Sequence, residues 1–247
     1  MTLPETYQSS LEYIQTSPKF QHSAPGEARQ AVPFPGYTII TPPGEEDPDN
    51  IHCYKTMLEC QQELLQQVEP GLIVPLPPDS LHITLADLIW DTSYRDAAQN
   101  PNFEKQLQGT IEQIFQKYQS EISSRQPIRW QVLGLIVMTR AIAVCLAPRD
   151  ESSYETIVNF RRSLYQNSGL IALGIEQQYH LTAHVTLGYF GDIPHTLHRY
   201  QLSTTFYDLN KRWQDTPQEF LIEQAELRKF DDMTRYYRED NWPVLKF

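Results

Sequence analysis

The sequence is poor in cysteine and in basic side chains. Its 247 residues include 3 cysteines, and 20 lysine and arginine residues stand against 31 acidic ones, which gives a net charge of −11 at pH 7. An odd number of cysteines argues against a disulfide framework and for a reducing compartment, so we interpret Cys53, Cys60 and Cys145 as small core residues. A surface this negative repels a long phosphate backbone, and we therefore expect no duplex DNA as a partner. A small phosphate ester, or one nucleic-acid end in a local pocket, is compatible with the charge.

Long apolar runs are also missing. The longest covers residues 132–138, whereas a helix that crosses a bilayer needs about 20 such residues. The N-terminus shows no basic leader followed by an apolar run, as a secretory signal would. We therefore expect a cytoplasmic protein that has no membrane partner and is a monomer. The chain also lacks a nucleophile elbow, a Gly-x4-Gly-Lys phosphate loop and a Cys-x-x-Cys pair.

The pattern of apolar residues predicts an α+β fold. Residues 1–35 are interpreted as an N-terminal extension and residues 36–247 as one bilobal domain. Helical spacing predicts helices over 51–68, 103–118, 153–167 and about 195–213. Strands are predicted over 37–40, 72–76, 81–90, 128–138, 141–147, 179–190, 219–230 and 235–247. Some of these strands follow each other too closely for a helical crossover, so we expect two similar lobes of largely antiparallel sheet, with helices outside and a central groove.

Two of the predicted strands carry the same pattern, HITL at residues 82–85 and HVTL at residues 184–187. Strand alternation directs His82 and Thr84 to one face, and likewise His184 and Thr186, with about 6–7 Å between the members of each pair. If the two strands lie side by side in the groove, both pairs converge on one phosphate. One neutral imidazole can deprotonate water and one protonated imidazole can protonate a leaving alkoxide. The threonine hydroxyls can donate to the non-bridging oxygens, so this chemistry needs no metal or other cofactor.

These paired strands, within a bilobal α+β chain, resemble the 2H phosphoesterase superfamily, which contains 2′-5′ RNA ligase-like proteins and cyclic phosphodiesterases. The segments PGYTII and EQAELRKFDDM look like an uncharacterised bacterial or cyanobacterial branch of it. The resemblance covers roughly residues 35–247. It implies that His82 and His184 are catalytic and that Thr84 and Thr186 bind phosphate. The substrates that it implies are 2′,3′-cyclic or 2′-5′-linked phosphodiesters of small nucleotides or RNA ends.

A second His-x-Thr pair complicates the C-terminal motif, because YHLTAHVTL also contains His180 ahead of a threonine. We prefer His184, since the Leu after its threonine repeats the HITL pattern. His180 is predicted to lie further along the groove, where it either contacts substrate or is simply exposed. A zinc site on both histidines is rejected, because on a strand they would be about 13 Å apart. The acidic loop at 45–50 lacks calcium-ligand spacing and is interpreted as a solvated turn. Tyr189 follows the second motif and could line the pocket, but its parity places it toward the core.

The leading hypothesis is a metal-independent phosphodiesterase that hydrolyses a cyclic or 2′-5′-type phosphodiester of a nucleotide or RNA end. One alternative is a non-catalytic protein that binds a nucleotide or RNA end in the same groove. A third possibility is 2′-5′ RNA ligase activity, because such steps can run in reverse. The presence of both imidazoles favours the enzyme, since binding alone does not require them. The sequence leaves open which histidine is the acid and which is the base.

Overall fold

Two antiparallel sheets of five strands each form the framework of the computed structural model, which describes residues 4–121, 126–178 and 180–247. The helices are α1 Pro4–Leu11, α2 Ile51–Gln67, α3 Asp91–Ala97, α4 Phe103–Glu121, α5 Glu151–Tyr165, α6 Ser168–Ala172 and α7 Arg199–Asp215. The strands are β1 Phe20–His22, β2 Arg29–Ala31, β3 Gly36–Ile40, β4 Ile73–Pro75, β5 Thr84–Trp90, β6 Ile128–Val137, β7 Ala141–Pro148, β8 His184–Phe190, β9 Glu219–Ile222, β10 Gln224–Asp232, β11 Arg235–Tyr237 and β12 Val244–Lys246. The predicted α+β class is confirmed.

The two sheets separate the two histidine motifs. The first sheet has the order β11-β10-β3-β5, with β12 also paired to β10, and it contains the HITL strand β5. The second sheet has the order β4-β8-β7-β6-β9, and it contains the HVTL strand β8. All of these pairings are antiparallel. A third, two-stranded sheet joins β1 to β2 near the N-terminus.

Each sheet takes strands from both halves of the chain. The early strand β4 pairs with β8 in the second sheet. The predicted strand 219–230 is in fact two strands, since β9 pairs with β6 in the second sheet and β10 pairs with β3 in the first. Only Glu223 separates them, and alternation alone gives no sign that the chain changes sheets there. The lobes are therefore interleaved in sequence.

The predicted helices form because each presents one apolar face to a sheet. On α2 this face includes Cys53, Met57, Cys60 and Leu64, all of them buried, at the spacing of successive helical turns. Cys53 and Cys60 are thus core residues, as predicted, whereas Cys145 is half-buried. In the described part of the chain, we find no helix with the length and apolar character that a membrane crossing requires.

The N-terminal segment 4–35 packs against both sheets. From α1, Tyr7 Oη donates to Leu135 O at 2.8 Å, and Leu11 is fully buried against the core. Further along, Ser17 N donates to the carbonyl oxygen that ends β8, at 2.8 Å, and Phe34 N donates to Asp231 O in the first sheet, also at 2.8 Å. The division of the chain at residue 35 stays a prediction, and the segment before it contributes to the core.

Candidate active site

A cavity of about 620 Å³ lies between the two sheets and contains both His-x-Thr pairs. Its volume is in the range of small-molecule sites, and it is several times larger than a phosphate group needs. The charged and aromatic side chains that line it are Lys19, Phe34, Asp87, Trp90, Arg140, Tyr189, Phe230 and Tyr236. His82, Thr84, His184 and Thr186 therefore come together, as the paired motifs predicted.

The first pair is held by the segment that enters β5. His82 follows a short 3₁₀ turn, Pro78–Ser80, and its Nδ1 lies 2.7 Å from Ser80 O. Because a carbonyl oxygen can only accept, Nδ1 carries the proton in this contact. Nε2 of the neutral ring is then an acceptor, and Thr84 Oγ1 donates to it at 3.2 Å. The basic nitrogen of His82 is thus directed at its own threonine.

The second pair repeats this local arrangement. His184 is the first residue of β8, and its Nδ1 lies 2.6 Å from Thr182 O. As in the first pair, the acceptor is the carbonyl two residues earlier, so the same tautomer follows. Thr186 stands two residues further along the strand and lines the same cavity. In both rings, Nδ1 is bound to the backbone and Nε2 is the nitrogen that can contact a substrate.

The environment of His82 keeps its ring neutral. The ring packs against Tyr236, with 4.2 Å between the ring centroids. Burial lowers the pKa of His82 to about 4, with the hydrogen bond to Ser80 O opposing this shift and the charges of His184 and Arg228 adding to it. At neutral pH, His82 is therefore an unprotonated base.

A β-bulge in β8 decides which of its later residues reach the cavity. Against β7, Thr186 pairs with Ala143 but Gly188 pairs with Ile142, so Leu187 is the extra residue. The bulge resets the alternation, and Tyr189 lines the cavity. The prediction that Tyr189 points to the core is wrong for this reason.

Bulges in β5 have the same effect on the first sheet. Its pairing with β3 skips one residue after Thr84 and another after Asp87. As a result, Thr84, Asp87 and Trp90 all line the cavity at a spacing of three residues. Simple alternation does not put Asp87 on the face of Thr84, so the local pattern does not reveal it. Trp90 is six positions from Thr84 and shares its face by alternation, and the two bulges together leave it there.

His180 is not brought to this cavity. Strand β8 begins at His184, so the alternation assumed for 179–183 does not apply there, and Tyr179 itself lies outside the described residues. His180 lines a different cavity of about 630 Å³, together with Trp130 and Tyr165. The predicted position of His180 along the groove is therefore wrong.

Three further residues that line the cavity come from distant segments and were not predicted. Lys19 lies before β1, Arg140 lies in the turn between β6 and β7, and Tyr236 comes from β11. No local pattern marks them, because only the tertiary fold brings them to β5 and β8. Within the described ranges, no group of three or more His, Cys, Asp or Glu side chains is arranged to hold a metal ion.

Comparison with known proteins shows a similar fold over the whole chain and a family similarity over part of it. Over 97% of this chain and 98% of the other, the structure matches a conserved protein of unknown function from Agrobacterium tumefaciens, with a TM-score of 0.59 and 14% identity. A family model described as "2H-phosphodiest: Domain of unknown function (DUF1868)" matches residues 26–141. Residues 26–141 are thus similar to the 2H phosphoesterase superfamily. The branch suggested by the sequence stays a prediction.

The family match covers just under half of the chain and includes the first of the two motifs. Two further solved structures match with lower TM-scores. Escherichia coli LigT complexed with 3′-AMP has 14% identity and a TM-score of 0.44, covering 86% of this chain and 98% of that one. A protein described as a phosphoesterase has 13% identity and a TM-score of 0.45, covering 87% of this chain and all of the other. Comparison with the curated proteins gives no match.

Proposed function

We propose that this protein is a metal-independent phosphodiesterase that hydrolyses a cyclic or 2′-5′-type phosphodiester of a nucleotide or RNA end. One observation carries the proposal: two His–Thr pairs, one from each sheet, line one cavity, and each Nδ1 is fixed by the same backbone contact. Two imidazoles that each direct Nε2 into the cavity are the pair that acid–base hydrolysis of a diester requires. The similarity of residues 26–141 to a 2H-phosphodiesterase family model supports a phosphodiesterase or ligase-type activity.

His82 takes the role of the general base. Its depressed pKa leaves Nε2 unprotonated at neutral pH, so it can remove a proton from a water molecule held beside the phosphorus. The new bond forms between that water oxygen and phosphorus. Because Thr84 donates to Nε2, we expect substrate and water to displace this hydroxyl, which then donates to a phosphate oxygen.

His184 takes the role of the general acid. In its imidazolium form, Nε2 protonates the alkoxide as the bond between phosphorus and the ribose oxygen breaks. Its Nδ1 stays on the Thr182 carbonyl throughout, which holds the orientation of the ring. After the reaction His82 holds one proton more and His184 one proton less, and exchange with water restores both.

The remaining lining residues fit a nucleotide. Thr84 and Thr186 donate to the non-bridging oxygens and stabilise the charge that builds there. Trp90, Phe230 and Tyr236 offer aromatic surface against which a base can stack. A 2′,3′-cyclic phosphate suits this site because its leaving oxygen stays tethered to the ribose.

The proposal is tested by incubating the protein with adenosine 2′,3′-cyclic phosphate in excess EDTA and following the monophosphate product by ³¹P NMR. We expect turnover in EDTA, and a loss of about 100- to 10,000-fold in His82→Asn and in His184→Asn. The matched control is His195→Asn, at an exposed position outside the cavity, which keeps the wild-type rate. Turnover that depends on a metal, or that survives in both cavity variants, contradicts the proposal. Saturable binding without turnover supports the non-catalytic alternative instead.

A further inference from the structure

The cavity has a second end, away from the histidines. Strand β8 runs from His184 to Phe190, and Tyr189 is five positions beyond His184, roughly 15 Å along an extended strand. Next to Tyr189, across the β7–β8 ladder, lies Ala141, which follows Arg140 in the turn between β6 and β7. The chain segment that ends at Lys19 crosses the same end, because Ser17 N donates to Phe190 O.

Lys19 is built into this end of the cavity. Its carbonyl oxygen accepts from Val32 N at 3.0 Å, which fixes the backbone. Its Nζ lies 3.1 Å from the Met233 sulfur, and 4.5 Å and 5.4 Å from the ring centroids of Phe34 and Tyr189. An ammonium group has three donors, and a thioether is only a weak acceptor. The contacts in the described part of the chain therefore leave Lys19 with donor capacity for a ligand.

Arg140 accompanies Lys19 as a second cation. Its guanidinium is exposed, and Nη2 donates to Gln15 Oε1 at 3.2 Å. Burial lowers the pKa of Lys19, Asp87 opposes this shift and Arg140 adds to it, which leaves the pKa at about 8. Arg140 and Asp87 thus both act on Lys19 within the same cavity.

We propose that Lys19 and Arg140 form a second anion subsite, which holds a substrate phosphate other than the diester at His82 and His184. Two cations that line one end of a cavity, in a chain of net charge −11, are a site for a local anion. The inference rests on the proposed function, which places the diester at the end of the cavity that contains His82 and His184. It deepens that function by naming the substrate class: a 2′,3′-cyclic end whose terminal nucleotide carries a phosphate on its 5′ oxygen. That phosphate is either a monoester or a backbone diester.

The test compares kcat/KM for three substrates, adenosine 2′,3′-cyclic phosphate, its 5′-phosphorylated form, and the dinucleotide ApA ending in a 2′,3′-cyclic phosphate. We expect the wild type to prefer a substrate with a 5′ phosphate by about 10- to 100-fold, the size of a charge-assisted contact. The preference falls in Lys19→Met and in Arg140→Gln. It persists in Lys105→Met, an exposed lysine on α4. The monophosphate and the dinucleotide together show which 5′ phosphate the subsite takes.

Equal kcat/KM for all three substrates in the wild type, or an unchanged preference in both cavity variants, overturns the inference. Arg140 is exposed, so Arg140→Gln keeps the test valid if Lys19→Met fails to fold, which a thermal denaturation curve reveals. If no substrate is turned over, the proposed function fails by itself. Calorimetric titration of the wild type then decides the subsite: tighter binding of the 5′-phosphorylated compound than of the unphosphorylated one supports it, and equal binding removes it.

Discussion

At the scale of single residues, the two motif histidines differ in environment although they are written in the same pattern. Both rings are held by the carbonyl two residues before them. His82, however, packs against Tyr236 and has its pKa lowered to about 4. The sequence reading left the roles of acid and base open, because a motif carries no information about burial. The environment of His82 now supports its assignment as the base.

The lowered pKa of His82 predicts a pH dependence of stability. An unfolded histidine titrates near pH 6.5, so the unfolded chain takes up this proton before the folded protein does. The stabilisation is complete above about pH 6.5, and it falls as the pH is lowered toward 4, by up to about 3 kcal/mol in total. Urea unfolding at several pH values in this window measures it. In His82→Gln this part of the slope should vanish, and an identical slope in both proteins contradicts the assigned pKa.

At the scale of elements, alternation predicted much of the site and failed where strands are irregular. It placed Thr84 and Thr186 on the faces of their histidines, and both line the cavity. It missed Asp87 and misplaced Tyr189, because the bulges that reset β5 and β8 depend on pairing with β3 and β7. Such pairings join residues that are far apart in sequence, and the local pattern does not encode them.

Helix boundaries show a similar limit on a smaller scale. The helix predicted over 153–167 begins at Glu151, because Asp150 accepts from Ser153 N at 2.8 Å and serves as the N-cap. The helix therefore begins two residues before the predicted start, because a hydrogen bond of the folded chain sets its end.

Gly188 allows β8 to pack closely against β4, because it has no Cβ atom. A Cβ at this position would lie 2.8 Å from both Val74 O and Ile73 Cγ2, so Gly188→Ala forces the strands apart. We expect it to lower the free energy of unfolding by about 1–3 kcal/mol. Gly109 in α4 has no atom within 4 Å of such a Cβ, so Gly109→Ala should raise it by about 0.5–1 kcal/mol. Urea unfolding of the two variants checks both signs, and a neutral Gly188→Ala contradicts the close approach.

At the scale of the whole molecule, the N-terminal segment is integrated with both sheets. Its residues contribute to the hydrophobic core, bond to the end of β8, and place Lys19 in the cavity. The division of the chain at residue 35 stays a prediction. The contacts of the segment before it join this segment to the rest of the fold.

Because the N-terminal segment packs into the core, a substitution of one of its core residues should lower the free energy of unfolding substantially. Leu11 is fully buried, so Leu11→Ala should lower the free energy of unfolding by about 2–5 kcal/mol. Leu133 in β6 is 50% exposed, and Leu133→Ala serves as the control, with an expected change within about 0.5 kcal/mol. Chemical denaturation compares the two. A Leu11→Ala protein as stable as the control would show that the segment is a separable extension.

The convergence of the two lobes on one phosphate is tested most directly by NMR of the histidine side chains. The imidazole ¹⁵N resonances are followed while adenosine 3′-monophosphate is added at neutral pH. We predict that the Nε2 resonances of His82 and His184 shift together along one saturation curve, while those of His180 and His195 stay in place. A shift of the Nε2 resonance of only one of His82 and His184 would contradict a shared phosphate site. A shift of the His180 resonance on the same curve would also contradict it.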